Sequence, residues 1–303
     1  MSTRPTPLNW LSIATLGFVW GGTFMVIEIA IEGFTPLQVA AGRSLLGALT
    51  LLAVCAATGR SLPRLSDPRG GTIWLCAIAM GLLSTAVPFF LISWAQTRVS
   101  SAFAGVSMAM IPLVVLPLAH AFVPGERLTR RRLAGFGLGF AGTALLVGGG
   151  AFASTGAGGE LWGRLACLLA VVSLASGAII TRLCPPTRVL PLAAASLLVS
   201  ALLMVPVALL IDGWPGPSGA APLAALTFLG IVPTALMIWL RTTVIRSAGP
   251  SFMTLTNYQV PVWSILFGAL VLDEPIPVQL PAALALILAG LAVSQWRPRA
   301  PAA

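Results

Sequence analysis

The chain carries an internal repeat, and each copy of it holds an odd number of apolar segments. Gly81–Leu91 read Gly-Leu-Leu-Ser-Thr-Ala-Val-Pro-Phe-Phe-Leu, and 149 positions later Gly230–Leu240 read Gly-Ile-Val-Pro-Thr-Ala-Leu-Met-Ile-Trp-Leu. Gly81, Thr85, Ala86, Leu91, Phe103 and Pro112 recur without a gap as Gly230, Thr234, Ala235, Leu240, Phe252 and Pro261. After one deletion, Glu126 and Gly142 recur as Glu274 and Gly290 with unchanged spacing. If each apolar segment crosses a membrane, five per copy forces the second copy to sit upside down relative to the first. Two halves so related can rock about one central site and open it to either side, an architecture found in transporters.

Composition makes the membrane the required solvent. The chain is 57% hydrophobic and 8% charged, with a mean hydropathy of +0.97. Long apolar stretches at so low a charge content exclude an ordinary soluble domain. A helical span takes about 20 apolar residues. Ten segments qualify: 8–31, 36–57, 71–95, 101–122, 133–151, 161–182, 189–211, 221–243, 251–271 and 278–296. They are too long for the strands of a membrane barrel and lack its period-two alternation. The expected fold is therefore an all-α integral membrane protein of ten helices. It divides into a five-helix repeat over 1–151 and an inverted one over 152–303.

Charge sets the expected orientation. All 17 basic residues are arginine and the net charge is +9. With the N-terminus in the cytoplasm, fourteen arginines fall inside, Arg98 and Arg164 fall outside, and Arg43 lies within a span. That bias predicts both termini on the cytoplasmic side. Arginines spread over several loops, with no aromatic residues interleaved, do not make a nucleic-acid surface. Cys55, Cys76, Cys167 and Cys184 fit no metal-ligand spacing and are expected as buried thiols; no metal or cofactor is implied.

Several motifs have counterparts in a known family. Trp20-Gly-Gly-Thr-Phe24, the arginine-bearing Ala40-Ala-Gly-Arg-Ser-Leu-Leu46, Gly125-Glu-Arg-Leu128 after Pro112, and Asp273-Glu-Pro-Ile276 after Pro261 span nearly the whole chain. They resemble the ten-span EamA-type exporters of the drug/metabolite transporter superfamily. Where that family often has a lysine late in the first span, this chain has Glu28. The resemblance implies a bacterial inner membrane and export of small metabolites, in some members amino acids, aromatic ones included.

Candidate site residues follow from polarity and position. Trp20 lies near mid-span beside Gly17, Gly21 and Gly22, with Phe24 one turn on, so the two can share a cavity face. Phe90 and Trp239 are repeat equivalents that can approach one site from opposite sides, or else face lipid. Asn257-Tyr258-Gln259 is the most polar run inside any span, and Met108 is the repeat partner of Asn257. An unpaired amide or hydroxyl in hydrocarbon costs several kcal/mol, so these groups should reach protein or water. Pro112 and Pro261 mark equivalent places for a hinge or a static bend. Glu28 and Arg43 lie at similar height and are expected to pair near the outer surface, as a structural bridge or a gate. His120 lies near an inner span end, and Glu126 and Glu274 at helix starts.

The expected function is a secondary transporter that binds a small amphipathic metabolite, an amino acid first of all, in the bilayer, acting as monomer or homodimer. A drug or lipophile exporter is the alternative. An intramembrane enzyme is the distant one, since the chain has one histidine and no intramembrane carboxylate pair. No lysine exists to build a phosphate-binding ATP loop. The central spans, counted as lacking cations, argue against phosphates and nucleotide sugars.

Overall fold

Local capping chemistry starts the first two helices where the sequence changes character. Thr6 accepts a hydrogen bond from the Asn9 N–H at 3.3 Å and Pro7 opens α1 (Pro7–Ile31). Thr35 and Gln38 form a reciprocal capping box ahead of Pro36, which opens α2 (Pro36–Ala57). This computed structural model describes residues 5–99, 101–147, 158–216, 218–271 and 279–295. Glu274, Trp296 and most of the 152–160 connection lie outside them.

Every regular element among the described residues is helical. α3 (Gly70–Gly81) runs through a π-helical turn, Leu82–Ala86, into α4 (Val87–Ala95). α5 (Ser101–Met108), α6 (Ile111–Phe122) and α7 (Arg130–Val147) follow, then α8 (Glu160–Leu183) and α9 (Val189–Ile211). α10 (Ala220–Leu229) passes through a second π-helical segment, Gly230–Leu236, into α11 (Met237–Ala248). α12 (Pro250–Met253), α13 (Thr256–Val271) and α14 (Leu280–Gln295) complete the chain. Six of these rods are long and apolar enough to cross a membrane: 7–31, 36–57, 70–95, 160–183, 189–211 and 220–248.

The distribution of polarity is that of a protein dissolved in lipid. Leu202, Leu210, Leu161 and Phe228 are exposed, whereas Ser44, Ser200, Thr85, Thr234 and Thr242 are buried. These five buried hydroxyls are satisfied locally or across helices, as where Ser44 meets Ser200 at 3.0 Å and Thr242 donates to the Ile238 carbonyl at 2.7 Å.

The two π segments coincide with the repeat, since Leu82–Ala86 and Ile231–Ala235 are equivalent positions. A π turn holds one residue more than the α turn it replaces, so it rotates everything after it relative to an α-helical count. The chain also breaks at Ala109–Met110 and at Thr254–Leu255. Pro112 therefore stands in the first turn of α6, where a missing N–H costs nothing, while Pro261 lies inside α13.

Packing follows a regular scheme. α2 packs on α9, and α7 on α14; α1 packs on α10 and α13, and α8 on α4 and α6. Helix ends meet in two groups. At one, Thr35 bonds Asp212, Gly33 abuts Pro222, and Gly163 abuts Arg98. At the other, Ser247 meets Asn9 at 3.0 Å, Arg246 donates to the Cys184 and Pro185 carbonyls, and Gly249 abuts Glu126.

Candidate substrate cavity

A cavity of about 120 Å³ lies among α1, α2, α4, the α5–α6 break, α8, α11 and α13. Among the described residues, none of α7, α9 or α14 lines it. Trp20 and Phe24 line it from α1, as expected from their one-turn spacing, Met108 lines it from α5 and Asn257 from α13. The Trp20 indole N–H also donates to the Pro233 carbonyl at 3.2 Å, tying α1 to the second π segment. Asn257 donates to the Thr254 carbonyl at 3.2 Å and so closes the break ahead of α13.

Repeat equivalence organises the wall. Ser84 and Pro233, Phe89 and Ile238, Ile92 and Arg241, Met108 and Asn257, and Ile111 and Val260 are each 149 positions apart, and all ten residues line the cavity.

Three expected site residues do not reach it. Phe90 packs instead beside Leu37, Ala41 and Met204, and Trp239 is 39% exposed on the outside of α11. Repeat equivalence relates the two positions without fixing which face either takes, and a π turn precedes each and rotates the residues after it. It is their predecessors, Phe89 and Ile238, that face inward. Tyr258 is 2% exposed, but its hydroxyl donates to the Phe136 carbonyl at 3.1 Å and its ring covers Gly139, so it fastens α13 to α7. Gln259 lies against Gly17 of α1. The polar run thus fans out in three directions, and only Asn257 serves the cavity.

The expected Glu28–Arg43 pair is absent. Glu28 is exposed on α1, whereas Arg43 is turned inward and 4% exposed. Its Nε donates to Thr234 Oγ1 at 3.0 Å, and its guanidinium lies 3.7 Å from the centroid of the Phe89 ring. His120 is exposed and its Nδ1 accepts from the Leu128 N–H at 3.4 Å. Glu126 pairs with Arg132 at 2.6 Å.

Arg241 is the site residue that counting along the sequence missed. Placed at the inner edge of a span ending near residue 243, it reads as an interfacial charge. α11 continues to Ala248, which leaves Arg241 seven residues inside the helix end, lining the cavity and 6% exposed. Its Nη2 donates to the Leu174 carbonyl at 3.4 Å. The available signal was Thr-Thr-Val-Ile before Arg246, a further turn of span-compatible residues that moves the interface to Arg246.

Apolar helices that present lipid-compatible surfaces outward and enclose an aromatic cavity with two buried arginines define a multi-span membrane protein. The sequence pattern of the EamA-like transporter family matches residues 9–148 and again 161–295, and the chain belongs to that family, within the drug/metabolite transporter superfamily. It is 27% identical over 259 residues to the uncharacterized inner membrane transporter YedA of Escherichia coli (strain K12), covering 85% of this chain and 80% of that one. An uncharacterized transporter of Archaeoglobus fulgidus is 25% identical over 138 residues, covering 46% and 47% of the two chains. A protein of known crystal structure superposes with a TM-score of 0.77 at 23% identity, over 97% of this chain and 98% of its own, a likeness of fold.

Proposed function

We propose that this transporter exports small carboxylate-bearing metabolites, the amino-acid class among them, by alternating access through the cavity. It does so as two inverted five-helix halves, 1–151 and 152–303. The observation that carries the reading is the wall itself, built from five pairs of repeat equivalents. The helix contacts support it. Exchanging the halves turns the α1–α13 contact into the α8–α6 contact, α1–α10 into α8–α3 and α1–α11 into α8–α4, while α2–α9 and α7–α14 map onto themselves. The two matches to the family pattern divide at the same place. One chain encloses the cavity, so a monomer suffices and a homodimer would hold two pathways.

The face bearing Asn9, Glu126 and Arg246 is assigned to the cytoplasm, because the basic loops join there while Arg98 and Arg164 sit opposite. In a bacterial inner membrane, single cysteines at residues 64 and 214, in a chain whose four native cysteines are serine, separate the orientations. Impermeant maleimide is expected to label 214 alone from outside; labelling at 64 reverses the orientation.

Among the described residues no Asp, Glu or His lines the cavity. Transport is therefore expected to run without proton coupling, since a coupled carrier exposes a protonatable group alternately to both sides. Proteoliposomes under an imposed pH gradient, with the membrane potential clamped, test this. Flux of a panel of amino acids and related acids supports the transporter reading. Uphill accumulation driven by the pH gradient and lost in Glu28→Gln or His120→Ala overturns the uncoupled one.

A further inference from the structure

The charge balance of the cavity narrows the substrate. Arg43 and Arg241 both line it, both are buried, and neither has a carboxylate partner among the described residues. The ion pairs described there, Arg132–Glu126 and Arg164–Glu160, lie elsewhere. Each buried guanidinium uses one hydrogen bond, Arg43 through Nε and Arg241 through Nη2. A guanidinium has five N–H donors, so most of the donor capacity of both is unspent. A buried cation is costly unless an anion answers it, and inside a membrane such a residue marks a substrate path. A second observation comes from a different chemical group: the Ser84 hydroxyl, also on the cavity wall, is buried and has no hydrogen-bond partner among the described residues.

Resting on the transporter reading above, we infer that the substrate enters this cavity as a net anion, a carboxylate or phosphate group on an otherwise apolar body, and that its transport carries charge across the membrane. A zwitterion brings one negative and one positive charge, and among the described residues no acidic side chain lines the cavity to answer its ammonium group. An anion answers the guanidiniums without that penalty and leaves its apolar body for Phe24, Ile92 and Val260. The arginines are also placed for transfer. Arg43 lies seven residues from the α2 end at one face and Arg241 seven residues from the α11 end at the other, each about 10 Å deep. An anion can therefore be held near either opening.

An uncoupled carrier of a monovalent anion has a ready driving force. A potential negative inside repels the anion outward and sets an outside-to-inside ratio of about 50 for each 100 mV.

The test uses the full chain in proteoliposomes and probes matched in body but not in charge. These are phenylpyruvate, phenylalanine and phenethylamine, then 4-methyl-2-oxopentanoate, leucine and isoamylamine, with phenyl phosphate to separate phosphate from carboxylate. Potassium and valinomycin set the potential. At least one anion in the set is expected to move more than about tenfold faster than its zwitterionic match, with a steady-state ratio that follows the potential. Arg43→Gln and Arg241→Gln are each expected to raise its half-saturation concentration about 10- to 100-fold, as loss of a charged hydrogen-bond partner does. Both variants remove a buried charge and should still insert. Zwitterion flux equal to or above anion flux, or anion flux indifferent to potential, overturns the inference and leaves the transporter standing. No flux of any probe through reconstituted, monodisperse protein overturns both.

Discussion

Alanine at Trp20 is expected to lower substrate flux by about tenfold or more while the protein still inserts and folds. The indole does two things at once. It walls the cavity from α1, and through its N–H it holds the Pro233 carbonyl of the second π segment at 3.2 Å. Losing an aromatic wall of that size removes contact worth about 2 kcal/mol to a bound apolar group, hence tenfold or more at low substrate concentration. Phenylalanine at the same place keeps most of the wall and loses only the hydrogen bond, worth about 1 kcal/mol, so its effect is expected to be smaller, about fivefold. Flux per reconstituted molecule, read beside the melting temperature, separates the two roles. Wild-type flux in Trp20→Ala would show that the indole is packing and the cavity is not the path.

The same residue shows which features of this protein can be read without coordinates. Six spans were legible because hydrocarbon thickness fixes a length and excludes charge, and the expected segments 8–31, 36–57, 71–95, 161–182, 189–211 and 221–243 each agree with a long apolar helical rod to within about five residues. Trp20 and Phe24 were legible because one turn of α-helix fixes their relation. The faces of Phe90 and Trp239 were not, because each follows a π segment, and nothing in Leu-Leu-Ser-Thr-Ala or Ile-Val-Pro-Thr-Ala announces the extra residue that rotates the face; Arg241 was missed because the span was ended near residue 243 although α11 runs to Ala248. Arg43 was found but mispaired. Similar depth along two helices says nothing about which way each side chain turns, and Glu28 faces away. The consequence was chemical: a cavity counted as free of cations holds two.

The largest effect on folding is expected far from the cavity, at Gly290. Valine there should prevent accumulation of folded protein in the membrane. A Cβ at Gly290 would lie 2.5 Å from the Gly135 carbonyl oxygen and 2.7 Å from the Gly139 amide nitrogen. Both are backbone atoms of α7, so no side chain can swing away, and α14 must retreat from α7 along its length. Gly142, the repeat equivalent of Gly290, meets α14 in the same way, with a Cβ 2.9 Å from the Ala283 carbonyl oxygen. In lipid no hydrophobic force drives helices together, so association rests on such close contact, and prying it open forfeits the dispersion energy of the whole crossing. Overpacking against a rigid partner typically costs about 1–3 kcal/mol, and here the partner is backbone, which places the loss at or above the top of that range. Gly137, on the same helix with nothing within 4 Å of its Cβ, is the control. Alanine there should be neutral or slightly stabilising, since glycine costs a helix about 0.5–1 kcal/mol relative to alanine. Detergent-extracted yield and melting temperature by size-exclusion chromatography read both variants, and a Gly290→Val protein as abundant and stable as Gly137→Ala would mean that α7 and α14 are not held together at these glycines.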